Sequence, residues 1–327
     1  SNKQYLLINL LEAPLLAIIL AFIIKYKSAP GGKEYIFRFN DNLPAFLLMS
    51  IIVALFMGLT VSAEEIIRDR KILKRESFLN LSWNSYLLSK LAILFLLSAI
   101  QTFSFVVISN LILEVHGMTF AFWLVLFTTA CFANVIGLNI SSAFNSAVTV
   151  YVIIPLLLIP QMILSGLLFS FDKLNNLIST KGKVPIVADL MASRWAYEAM
   201  AVHQFKSNDF EVHYFEYEKE ESKADFKAAY LADELKRRNQ FIEEHFESKN
   251  DSVKKLVTAN LKMVRDNLKT ENFQSSVKVN INEALQPGNY SSATGQELDN
   301  YIEDYRKHYQ KIYNQNVSLK EKKMAHY

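Results

Sequence analysis

A single cysteine, Cys131, stands in 327 residues. No internal disulfide can form, so any part of the chain in water must fold by burying its own apolar surface. Cys131 itself lies in an apolar run and reads as a small buried hydrophobe. The sequence also lacks a Gly-x-x-x-x-Gly-Lys-Ser/Thr run, and Gly31-Gly32-Lys33 lacks the spacing that lets backbone amides cradle phosphates. His203, His213, His245, His308 and His326 make no His-x-x-x-His pair, and no Gly-x-Ser-x-Gly elbow occurs. Neither a metal site nor a catalytic nucleophile is indicated.

Charge is the next scarcity, and it is local. Residues 1–171 hold 11 basic and 8 acidic residues, whereas residues 172–327 hold 24 of each. The two parts suit different solvents, so a mean hydropathy of +0.13 describes neither. This predicts an all-α polytopic membrane domain over 1–171 and a soluble domain over 172–327. Crossing about 30 Å of hydrocarbon as a helix takes about 20 apolar residues. Five segments qualify: Tyr5–Ile24, Leu43–Ala63, Leu91–Leu113, Met118–Leu138 and Val148–Phe171, of which only the first carries a charge, Glu12. That first segment is too long, and too poor in a small-residue cleavage site, for a secretory signal. With no initial methionine, the chain reads as a stretch from within a longer one.

Basic residues in short loops set topology. Loop 64–80 has five (Arg68, Arg70, Lys71, Lys74, Arg75) and loop 25–42 has four (Lys25, Lys27, Lys33, Arg38), a margin that leaves orientation open.

Against this background, Glu64–Glu76, EEIIRDRKILKRE, packs nine charges into thirteen positions. Ile66-Ile67, Ile72-Leu73 and Phe78-Leu79 recur every six residues, which makes no single clean amphipathic face. The geometry expected is a helix leaving the bilayer near Ala63, a turn around Asn80–Ser85, and re-entry near Tyr86, with Ser82 or Ser85 as cap. Two readings stand: a basic loop lying on lipid headgroups, or a docking element, for which the mixture of five basic and four acidic residues is the better match.

Inside the spans, Glu12 precedes Pro14 and marks either a kink near the interface or a functional carboxylate. Gln101, Asn110, Asn134 and Gln161 read as interhelical hydrogen bonders. Pro155 and Pro160 are expected to bend the fifth span. In the second part, helical periodicity links Ala228, Leu231, Leu235 and Ile242, then Val253, Val257, Leu261, Val264 and Leu268, then Leu298, Tyr301, Tyr305 and Ile312. Phe210–Tyr214 alternates like a short strand, and Gln286-Pro-Gly-Asn reads as a turn. A mostly helical domain follows. Its balanced charge argues against nucleic acid as partner.

Three motifs carry a resemblance. Glu64-Glu65, Arg68-Asp69-Arg70 and Lys74-Arg75-Glu76 lead into Ser82-Trp83-Asn84-Ser85-Tyr86-Leu87-Leu88-Ser89-Lys90. Ile159-Pro160-Gln161-Met162-Ile163-Leu164-Ser165-Gly166 follows in the fifth span, then Ser193-Arg194-Trp195-Ala196-Tyr197-Glu198-Ala199. In order and spacing over residues 1–205 they resemble type-2 ABC exporter permeases of the G-subfamily kind. The resemblance implies that loop 64–80 couples to a cytosolic ATPase domain through Glu64, Glu65, Arg68, Arg70, Arg75 and Glu76. ATP and magnesium would belong to that ATPase domain, upstream of Ser1 or on another chain, and this segment itself would hold no cofactor.

It also implies a homodimer in a lipid bilayer, with Phe56, Met57, Thr60, Gln161 and Leu164 lining a path for a lipid-like, hydrophobic or lipid-anchored cargo. The amino terminus would be cytosolic and residues 172–327 external, in a bacterial periplasm, with an envelope protein as possible partner. A sixth span is expected beyond Tyr327, and the external region is longer than is usual for the family. The alternatives are force transmission to an envelope partner without transport, or an ATPase-free receptor or scaffold.

Overall fold

The computed structural model describes residues 3–26, 35, 37, 40–76, 82–269, 271, 273, 275–276, 280–286 and 288–325, with the backbone alone for 3–6 and 76. Lys27, Gly31, Gly32, Lys33, Arg38, Phe78, Leu79, Asn80, Pro287, His326 and the Glu76 side chain lie outside the described residues. The chain divides into two units, Ser1–Glu211 and Val212–Tyr327. The expected boundary at 171/172 rests on charge; the packing division falls at 211/212, since helix 192–207 packs on the apolar bundle.

The first unit is all helical: α1 (Lys3–Ile24), α2 (Leu43–Ser62), α3 (Glu65–Glu76), α4 (Trp83–Leu113), α5 (Thr119–Ala143), α6 (Ala147–Ile163), a 3₁₀ turn Phe171–Lys173, α7 (Ile186–Asp189) and α8 (Ala192–Ser207). Four of these, α1, α2, α4 and α5, are long and apolar enough to cross a membrane. The chain is an integral membrane protein.

Lipid tails are as apolar as leucine, so such helices associate by close packing and hydrogen bonds. Small residues at every fourth position supply the packing. Ala13, Ala17 and Ala21 of α1 are fully buried, on a helix that packs on α4. On α2, Gly58 meets Ala130 and Ala133 of α5, and Ser62 meets Gly137. A Cβ on Gly58 would lie 2.7 Å from the Ala130 carbonyl oxygen, and one on Gly137 only 1.9 Å from Ser62 Oγ.

The polar residues of the spans bond between elements, as their sequence reading expects. Gln101 Nε2 donates to the Asn9 carbonyl at 2.8 Å, Asn134 Nδ2 to Ser98 Oγ at 2.7 Å, and Asn110 Nδ2 to Thr119 Oγ1 at 3.3 Å. Cys131 is half-buried on α5.

The fifth apolar segment is shorter than expected. α6 ends at Ile163, seventeen residues and about 25 Å from its start, instead of continuing to Phe171. Pro155 and Pro160 remove two backbone donors. Gly166 then takes φ +89°, a left-handed conformation, with the Phe171 ring packed where a Cβ would stand.

The second unit comprises α9 (Glu211–Asp225), a π-helical turn Phe226–Leu231, α10 (Ala232–His245), α11 (Asp251–Leu268), α12 (Ile281–Ala284) and α13 (Ser292–Met324). The strand expected at Phe210–Tyr214 is instead the start of α9. Asn208 Oδ1 accepts from the Phe210 and Glu211 amides at 3.0 and 2.8 Å, and Asn208 with Glu211 has the spacing of a helix-start signature. Phe210 and Val212 are both exposed, so their alternation faces no core. On either side of Pro287, which lies outside the described residues, the Asn289 amide donates to the Gln286 carbonyl at 3.1 Å and Gly288 takes φ +105°.

The periodic residues of α10, α11 and α13 build one core around Leu235, Ile242, Leu261, Val264, Leu298 and Tyr305. α13 runs antiparallel to α9 and α10: Lys320 pairs with Glu221 at 2.7 Å, Arg306 pairs with Asp233, and Lys323 Nζ donates to the His213 carbonyl at 2.9 Å. At the π-helical turn, Lys227 Nζ meets Glu271 Oε1 at 2.7 Å and the Tyr309 hydroxyl at 3.0 Å. Burial lowers the Lys227 pKa, but these two partners outweigh it and hold the ammonium above the ordinary lysine value.

One polar residue sits where periodicity asks for an apolar one. Asn239 is fully buried; its Nδ2 donates to the Gly295 carbonyl at 2.9 Å and Asp299 Oδ1 at 2.8 Å, and its Oδ1 accepts from the Tyr290 hydroxyl at 2.7 Å. Asn239→Leu strands all three partners, at a cost of about 2 kcal/mol or more. Hydrogen exchange along α10 and α13 is expected to accelerate by about thirtyfold, since about 1.4 kcal/mol is a factor of ten.

A charged helix clamped to the bundle

Within the stretch Glu64–Glu76, Glu65–Glu76 folds as α3, two residues after α2. Its sequence period now has a physical account. Ile66 is buried and Leu73 half-buried one face-repeat later, with Asp69 and Arg70 between them on the same side. Two charged residues on the inward face are what spoil the apolar stripe, and both are bonded.

Lys90 is the centre of the inward charge. Ser82, in extended conformation, caps α4 by accepting from the Ser85 amide at 3.4 Å, so α4 starts at Trp83. Tyr86 and Lys90, four residues apart, then share a face toward Glu65 and Asp69, also four apart. Lys90 Nζ lies 2.7 Å from Glu65 Oε2 and 2.7 Å from Asp69 Oδ2. The Tyr86 hydroxyl donates to Asp69 Oδ2 at 3.1 Å, and Arg68 pairs with Glu65. Glu65 is only 8% exposed, so its charge is compensated by direct contact rather than by water.

The backbone ends of α3 and α5 close each other. The first amides of a helix and its last carbonyls have no partner within it. Ser141 Oγ of α5 accepts from the Ile66 and Ile67 amides at 3.0 and 3.1 Å, capping α3 from another helix. In return the Arg70 guanidinium lies 3.0–3.3 Å from the carbonyls of Ser141, Ser142 and Phe144, where the α5 dipole is negative.

Among the described side chains, the outward side of α3 is basic. Arg68, Lys71, Lys74 and Arg75 are exposed, with Ile72 among them. The mixed composition of the sequence is thus sorted in space: Glu65 and Asp69 turn to Lys90, Arg70 turns to the end of α5, and the other four basic residues are exposed. Glu64 is half-buried.

Of the residues expected to line a path, Phe56 and Thr60 share a stripe of α2, exposed and half-buried respectively, and Thr60 Oγ1 donates to the Phe56 carbonyl at 2.9 Å. Met57 points the other way, 2% exposed in the packed core. Gln161 is held by α8: its Oε1 accepts from the Ser193 amide at 3.0 Å, and Ser193 Oγ donates to its carbonyl at 2.6 Å. Leu164, half-buried, follows the last residue of α6.

Sequence reasoning named neither Lys90 nor Ser141 as part of the site. The matching four-residue spacings of Glu65 with Asp69 and of Tyr86 with Lys90 were the available signal for Lys90. Nothing local marks Ser141.

The family model described as ABC-2 type transporter matches residues 1–205. No curated protein and no solved structure matches the chain.

Proposed function

The chain belongs to the ABC-2 type transporter family, and from that premise we propose that it is the permease part of an ATP-driven exporter in which α3 receives force from a cytosolic ATPase domain. The observation that carries this reading is the clamp: α3 is fixed to α4 through Lys90 and to α5 through Ser141 and Arg70, while Lys71 and Arg75 are exposed on its other side. A push on that face moves two spans with it. ATP and magnesium fit no phosphate-cradling motif in residues 1–327 and are assigned to the ATPase domain.

In this reading Glu65 and Arg70 hold the coupling helix, Arg68 and Arg75 belong to its open face, and Glu64 and Glu76 flank it. Exposed Phe56, with Thr60 and Leu164, faces a path between two copies of the chain. The apolar spans suit a lipid-like, hydrophobic or lipid-anchored cargo. We place α6 as the fifth span and the Val212–Tyr327 unit outside, in a bacterial periplasm.

Reversing the exposed Lys71 and Arg75 to glutamate tests the coupling face in the full-length protein with its ATPase, in lipid. Both positions are exposed, so folding is preserved, and cargo-stimulated ATP hydrolysis is expected to fall at least about fivefold, because reversed charges turn attraction into repulsion at a complementary surface. Unchanged hydrolysis would leave the basic face to lipid headgroups.

A second reading keeps the ATPase and replaces transport by force transmission to an envelope partner. It is favoured by α13, whose 33 residues make a rod of about 50 Å braced along α9 and α10. Full coupled hydrolysis without cargo movement would select it.

A further inference from the structure

The turn that joins α4 to α5 carries polar side chains that take no part in the α3 clamp. Leu113, Val115 and Met118 anchor it in the bundle, each at most 5% exposed. Glu114 and His116 alternate with them and stand exposed. Glu114 has φ +59° and Gly117 φ +75°, so the chain reverses within a few residues. A Cβ on Gly117 would lie 2.6 Å from Asp209 Oδ1; its absence lets that carboxylate rest on the turn.

A cavity of about 530 Å³ opens between this turn and the end of α8, within the first unit, a size that takes a small organic ligand. Phe37, Glu114, His116, Asp209 and Glu211 wall it, and Gln204 forms its floor. No lysine or arginine of the described residues lines it. Among the described residues Asp209 has neither an ion pair nor a hydrogen bond. Gln204 is 8% exposed, and its Oε1 has no hydrogen-bond partner. Asn208 does not supply one: its Nδ2 donates to the Gln204 backbone carbonyl at 2.9 Å, and its Oδ1 is taken by the start of α9. A buried acceptor without a donor is a standing cost, which an N–H of a ligand would remove.

We infer that this cavity binds a primary ammonium group, which donates to Gln204 Oε1 and pairs with Asp209 while its alkyl stem lies against Phe37. The lining asks for a ligand that is both a cation and a hydrogen-bond donor. A metal ion takes several carboxylate or imidazole ligands at once, and among the described residues no three His, Cys, Asp or Glu stand close enough together to hold one. The chain itself holds an ammonium beside the cavity by the same means: Lys25 Nζ lies 3.0 Å from Glu114 Oε1 and 4.5 Å over the Tyr35 ring. The ligand's ammonium has two sources, a soluble amine or an aminolipid headgroup, since the turn follows the last residue of a membrane-crossing helix. The inference goes beyond ATPase coupling and does not depend on it.

Thermal unfolding of the full-length protein in phosphatidylcholine nanodiscs, without nucleotide, tests it with ethanolamine as probe and choline as control. Choline carries the same charge but no N–H. Ethanolamine is expected to raise the midpoint saturably and choline to leave it in place. Exchanging part of the phosphatidylcholine for phosphatidylethanolamine separates the sources: a rise that needs the lipid assigns the headgroup, a rise with free ethanolamine assigns a soluble amine, and either supports the site. Asp209→Asn and Gln204→Met should each weaken the effect at least about tenfold, the loss of one hydrogen bond to a charged group. Asp209 is exposed and the Gln204 Oε1 unbonded, so both variants should fold, which their midpoints without amine report. No rise from either source, an equal rise with choline, or a rise that both variants keep in full would overturn the inference.

Discussion

Gly58→Leu and Gly137→Leu are each expected to leave no folded bundle, and even the alanine variants should lose stability. The contact of α2 with α5 is close enough that a Cβ on Gly58 meets the Ala130 carbonyl oxygen and Ala133 Cβ, both at 2.7 Å. Backbone cannot step aside, so Gly58→Ala forces the helices apart along their whole contact. Overpacking by one methyl costs about 1–3 kcal/mol, which for a domain of this size lowers the thermal midpoint by about 2–12 °C. At Gly137 the obstruction is mostly the Ser62 side chain, 1.9 Å from the added Cβ at its Oγ and 3.0 Å at its Cβ. Gly137→Ala should therefore be rescued in part by Ser62→Gly, and Gly58→Ala by no side-chain change at all. Thermal unfolding in detergent, followed by loss of the monodisperse peak, reads both. Equal tolerance of alanine at the two positions would mean that the interface is not close packed.

The second large effect is expected at Lys90. Lys90→Met leaves Glu65 and Asp69 facing each other with their shared cation gone, and removing one partner from a buried pair costs about 3–5 kcal/mol. Lys90 and Asp69 keep about a fifth of their side-chain surface in water, so the lower end of that range applies. That still exceeds what a twelve-residue helix holds on its own in water. α3 should detach, the distance between labels at Lys71 and Asn139 should broaden, and ATP hydrolysis should continue without response to cargo. Lys90→Met combined with Glu65→Gln and Asp69→Asn removes the repulsion and should bring the label distance back. If Lys90→Met alone leaves the distance narrow, the Ser141 and Arg70 contacts hold α3 without it, and the salt bridges are incidental.

These two sites also show what a sequence can disclose. The spans α1, α2, α4 and α5 were legible because twenty apolar residues in a row admit little else, and the helices of the second unit because buried positions recur every three or four residues. The clamp was not legible. Asp69 and Arg70 look like solvated charges until α4 and α5 are placed beside them, and Ser141 looks like one more small residue in a span. The end of α6 was missed because apolar residues continue past Ile163, and the left-handed turn at Gly166 leaves no mark on hydropathy. The start of α9 was missed for the opposite reason. Phe210–Tyr214 alternates over five residues, yet the Asn208 cap three residues ahead of Glu211 fixes the backbone first.

The contact of Ser141 and Arg70 has a further consequence for how the molecule opens. Two helices that complete each other's hydrogen bonds share one cooperative transition: α3 cannot fray from its first turn without baring the final carbonyls of α5. Amide exchange at Ile66 and Ile67 would then track the last turn of α5, seventy-odd residues away in sequence. A machine driven through α3 would have, in that joint, a latch whose release is all-or-none rather than graded.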